Sequence, residues 1–72
     1  MNRYVVEVSL ATHEDLQRGC VESKRTRVAV WADGDTDAVL LACQISHTTD
    51  GERFPTAALL IDFPTGRAGG AQ

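Results

Sequence analysis

The sequence is poor in the residues that mark special classes of protein. Two cysteines, Cys20 and Cys43, close at most one internal bridge, so no disulfide framework stands in for a core. The longest apolar run, Ala38 to Cys43, has six residues against the 18 or more of a membrane span. Seven basic residues are outnumbered by ten acidic ones, and a net charge of −3 speaks against broad attraction to nucleic acid or anionic membranes. Met1-Asn2-Arg3-Tyr4 leads straight into a strand pattern, without an apolar leader or a small-residue cleavage site. A cytoplasmic protein is the expectation.

Val, Leu, Ile and Phe nevertheless make up seventeen of the 72 residues, above the fifth below which chains tend to disorder. A chain this short buries only about 60% of its open surface on folding, so a partner is a common means of completing its core.

Tyr4, Val6, Val8 and Leu10 alternate with Arg3, Glu7 and Ser9, the period of a half-buried strand over 3–10. Val5 is the apolar exception on the polar side. A second strand over 25–32 sets Thr26, Val28, Val30 and Ala32 against Arg25, Arg27, Ala29 and Trp31, so the one tryptophan shares a face with two arginines. Between the two strands, Thr12 resembles a helix cap followed by acids, and Gly19 a stop. About six residues make a single helical turn or a loop, pinned by Leu16 and Val21, since helix nucleation is costly.

Asp33-Gly34-Asp35 reads as a turn with Asp35 capping a helix over 36–47, whose stripe Ala38, Leu41, Ala42 and Ile45 faces the core. Val39, Leu40 and Cys43 widen that arc. Asp50-Gly51 ends the helix, Pro55 leads into a third strand over 56–63, and Pro64 closes it. Ala57, Leu59 and Ile61 are expected toward the helix, and Ala58, Leu60 and Asp62 away from it. The expected fold is therefore α+β, in the order β-β-α-β. It is a three-stranded mixed sheet, order 2-1-3, with one helix packed on one face, in one domain over 1–64. Residues 65–72 have nothing to bury and are expected to be disordered.

One helix covers one face of such a sheet. The other face is expected to display Val5, Ala29, Trp31 and Leu60, rimmed by Arg25 and Arg27, and a contiguous apolar patch on a small domain marks an interface. These six residues are the candidate partner-binding site, for a homodimer or a host or phage protein. The alternative is that the 11–24 segment folds back over them. Arg25, Arg27 and Trp31 also suit a small nucleic-acid module, in which phosphates meet the arginines and a base stacks on the indole.

Catalytic and metal chemistry find little footing. Asp33-Gly34-Asp35-Thr36-Asp37 opens like a calcium loop, but Ala38 stands where the glycine belongs and Gln44 where the bidentate acid belongs. His13, Cys20, Cys43 and His47 show no metal-ligand spacing, and no nucleophile stands beside His13-Glu14-Asp15. No cofactor, metal or catalytic residue is expected.

Val28-Ala29-Val30-Trp31-Ala32-Asp33, then Asp37-Ala38 and Ala42-Cys43-Gln44, together with Tyr4 to Leu10, resembles small accessory proteins of actinobacteriophages. Nine alanines, seven threonines and six arginines against one lysine and one asparagine suit a high-GC genome. The resemblance spans about residues 3–63. It implies an accessory phage protein in the host cytoplasm, with no catalytic residues to carry over; a structural subunit of a phage particle is a further alternative.

Overall fold

The strict alternation of the first strand makes it the spine of the molecule. The computed structural model describes residues 1–62 and sets that strand in the middle of the sheet. Five elements follow one another: β1 (Asn2–Thr12), α1 (His13–Gln17), β2 (Lys24–Ala32), α2 (Asp35–Thr49) and β3 (Arg53–Asp62). The strand order is β2-β1-β3 and both pairings are antiparallel. The outer strands therefore run parallel to each other without touching, and α2 is the crossover between them. This is the expected α+β fold and strand order, with one short additional helix and with a sheet whose ladders are all antiparallel where a mixed one was expected. Phe63 and Pro64, expected to finish the third strand, and the tail 65–72 lie outside the described residues. No helix among the described residues is long and apolar enough to cross a membrane.

Tyr4, Val6, Val8 and Leu10 line one side of β1 and are almost wholly enclosed by Val30 and Ala32 of β2 and Ala38 and Ala42 of α2. The helix seat differs from the expected stripe. Ala38, Ala42 and Ser46 are buried, whereas Leu41 and Ile45 are 38% and 44% exposed. Residues four apart lie along one line of a helix, and side chains this small let its backbone approach the sheet closely. The seam therefore centres on them and moves the larger neighbours to the flanks. The cap also differs. Gly34 is the N-cap, with no side-chain bond, and Asp35 is already the first helical residue. Asp35 and Asp37 still put negative charge in the first turn, where the helix dipole favours it.

The 11–24 segment resolves into a helical turn held by a capping box. The Thr12 hydroxyl accepts from the Asp15 N–H at 3.0 Å, and the Asp15 carboxylate accepts from the Thr12 N–H at 3.0 Å. Gly19, at φ +82, ends the turn in a conformation that other residues rarely adopt. Leu16 and Val21 do not pin the segment, being 40% and 64% exposed. Polar ties hold it instead: the Ser23 N–H donates to the Leu10 carbonyl at 2.8 Å, and the Thr56 hydroxyl donates to the Val21 carbonyl.

The third strand departs furthest from expectation. It begins at Arg53, with Pro55 inside it, because an edge strand tolerates a missing N–H beside a bulge. Its register against β1 shifts twice, between Ser9 and Leu10 and between Val5 and Val6. Val6 then faces Leu60 and Glu7 faces Leu59. Directly opposed residues share a face, so Leu60 lies on the helix side, packed against the core, and Leu59 lies on the other. The expected phase is reversed over residues 57–60, while the second shift returns Asp62, opposite Val5, to the side away from the helix as expected.

Candidate functional site: the open face of the sheet

The sheet face away from α2 takes alternate residues from each strand. At one end, Trp31 lies opposite Arg3, and Val5 lies between Ala29 on β2 and Asp62 on β3. Further along, Glu7 lies between Arg27 and Leu59, and Ser9 lies between Arg25 and Ala57. Trp31 and Leu59 are each 61% exposed. Of the six expected site residues, the structure brings Val5, Ala29, Trp31, Arg25 and Arg27 onto this face and withdraws Leu60 beneath the helix. Leu59 takes its place.

The arginines are engaged. Arg27 Nε donates to Glu7 Oε2 at 3.2 Å, and Arg25 donates to Glu22 Oε2 at 2.7 Å while lying 3.8 Å from Glu7. The other Glu22 oxygen accepts from the Ser9 hydroxyl at 2.7 Å. Arg25 and then Ser9 hold the Glu22 carboxyl below the usual range, and Glu22 in turn raises the Arg25 pKa. Arg3 pairs with Asp62 at 3.8 Å. Three cations and three carboxylates thus balance on this face, and the chain's acidic excess lies elsewhere. Glu22 is a member that the sequence reading missed; its spacing of three before Arg25 was the available signal. Through it the 18–23 segment touches the face at the Ser9 end, where Glu7, Ser9, Glu22 and Arg25 line a shallow recess of about 310 Å³ with Leu59. Trp31 and Leu59 stay uncovered by that segment.

Lys24, the residue before Arg25, points into a different cluster. Its ammonium and the Arg53 guanidinium share Asp50 Oδ2 at 3.2 and 3.1 Å. Burial pulls the Asp50 pKa up, but the bonds from Lys24, Arg53 and the Glu52 N–H outweigh it and leave it lowered. This clamp joins the start of β2 to the helix end and the start of β3.

The remaining chemical candidates are scattered. His13 accepts from Gln17 at 3.2 Å. The His47 ring, in the last turn of α2, donates from Nδ1 to the Arg53 carbonyl at 3.0 Å and stacks on Phe54 at 5.3 Å. Cys20 and Cys43 are free thiols, and burial raises the Cys43 pKa, which disfavours its thiolate. Asp33, Asp35 and Asp37 line a recess of about 590 Å³ with Asn2 and Tyr4, and Asp33 pairs with the chain's amino terminus at 3.5 Å. Among the described residues no three His, Cys, Asp or Glu side chains are grouped to hold a metal ion.

Comparison with family models, with curated proteins and with solved structures finds no match to this chain.

Proposed function

We propose that the protein acts by contact with other protein, not by catalysis, and that its first partner is a second copy of itself docked on the open sheet face. The observation that carries this reading is the pairing of Trp31 and Leu59, both mostly exposed on a face with no second layer of the described chain over it. Exposed apolar patches of this kind mark interfaces, and a large aromatic beside arginine is a typical anchor composition. Charge selects the occupant. A face whose cations and carboxylates cancel neither repels a copy of itself nor attracts a polyanion.

Area sets the strength. Three strands give a face roughly 14 Å wide and 30 Å long, about 420 Å² per copy, below the roughly 800 Å² per partner of stable interfaces, which suits a weak, micromolar dimer. The nucleic-acid reading loses ground because Arg25 and Arg27 already face Glu7 and Glu22. The resemblance to actinobacteriophage accessory proteins supports a role in a host cytoplasm.

Sedimentation velocity over a dilution series tests the reading, with Leu59→Lys as the perturbing variant. The parent should pass from dimer or larger to smaller species within the micromolar range, and the variant should dissociate at higher concentration. A parent that sediments as monomer at every concentration, or a variant that associates equally well, overturns it.

A further inference from the structure

The two edges of the sheet are guarded very differently. On β3, Pro55 interrupts the backbone donors, two register shifts distort the strand, and the Arg53 carbonyl is occupied by His47. These are familiar devices against strand-to-strand association. On β2, nine residues pair with β1 without a shift, no proline intervenes, and no backbone hydrogen bond among the described residues reaches the outer side of residues 25–32. From Val28 to Ala32 that edge carries no charge either.

The structure assigns this edge to a second copy of the chain: β2 pairs antiparallel with the β2 of its partner about a two-fold axis at Val28, giving a continuous six-stranded sheet. The charge pattern of the strand selects this register. Slides toward the start of β2 oppose Arg25 with Arg27, or Arg27 with itself, and like charges directly across a ladder destabilise it. Slides toward its end shorten the overlap. Centring on Val28 pairs all of Lys24–Ala32, sets Val28 against its own copy, and places Arg25 opposite the copy's Trp31. The indole, already facing Arg3 on β1, then gains a second guanidinium beside its ring. The basic end of the strand thus fixes the register. This contact does not depend on the open-face dimer.

Disulfide trapping tests it, in the full chain carrying Cys20→Ser and Cys43→Ala. With Val28→Cys, opposed Cα atoms lie about 5 Å apart, within bridging range, and oxidation should give mostly covalent dimer. With Ala29→Cys, made together with Leu59→Lys so that the open face cannot bring the thiols together, the two sulfurs lie two residues out of register and the chain should stay monomeric on a denaturing gel. Adding Leu59→Lys, which removes the face contact alone, should leave the Val28→Cys yield unchanged. No cross-link at Val28→Cys, or a stronger one at Ala29→Cys, overturns the proposal.

Val28 touches the core, so amide exchange in the unmodified protein supplies a second readout. On dilution, the outward amides of β2 should exchange about 10-fold faster or more while those of β3 hold constant. Exchange in β2 that ignores concentration across the dissociation range also overturns it.

Discussion

Replacing Trp31 with alanine separates association from folding more cleanly than any other single change. A tryptophan buries about 200 Å² when fully enclosed, and Trp31 still exposes 61% of itself, so docking on the open face removes roughly 120 Å² more from water. At about 25 cal/mol per Å² this is about 3 kcal/mol, and about 2.5 after the alanine's own share is subtracted. A symmetric contact buries two indoles, so the loss per dimer is about 5 kcal/mol and a micromolar dimer becomes millimolar or weaker. Folding of the single chain should change by less than about 1 kcal/mol, because the side chain already faces solvent there. Sedimentation velocity reads the first effect and urea denaturation at low concentration the second. The parent offers an internal control, since Trp31 is the sole tryptophan and its emission should shift to the red as the dimer dissociates. A variant that associates like the parent, or an emission maximum indifferent to dilution, refutes the assignment of this face.

Three further outcomes follow from the packing and the capping. Ala42→Leu forces bulk into the closest part of the helix seat and should cost about 1–3 kcal/mol in urea denaturation; an unchanged midpoint would show that α2 does not sit as close as described. Thr12→Ala removes the capping hydroxyl and should cost about 1 kcal/mol, with faster amide exchange in residues 13–19 as the local signature. Hydrogen bonds from Ser23 and Thr12 lower the Asp15 pKa from 3.8 to about 2. Since the folded value is the depressed one, this contribution is complete above the unfolded value near 4 and disappears as pH falls toward 2. A carboxyl titration followed by NMR that places Asp15 at its ordinary value would contradict the capping box.

How much of this could be read from the chain depended on contrast between faces. In β1, Arg3, Glu7 and Ser9 oppose Tyr4, Val6, Val8 and Leu10, and in β2 the two arginines fix the phase, so both strands were legible. In β3 no such contrast exists. Ala57 and Leu59 on one side are as apolar as Ala58 and Leu60 on the other, and two register shifts break the count, so Leu60 exchanged places with Leu59. The helix hid its seat for a related reason: alanine and serine pack closest, yet an apolar stripe draws attention to Leu41 and Ile45. The open face was legible as an uncovered surface. Its neutralisation by Glu22 was not, because that contact depends on how the segment after α1 returns to β2.

The central position of β1 also dictates how the chain must fold. β1 waits for β3, since Val8 and its partner Ala58 stand fifty positions apart, and the helix that roofs Val6 and Val8 lies between them in sequence. A hairpin of β1 with β2 alone would leave Tyr4, Val6, Val8 and Leu10 facing water. Closing that long loop is an entropic toll levied before any core exists, so refolding should be slow for so small a chain, with a single-exponential chevron and no resting point along the way.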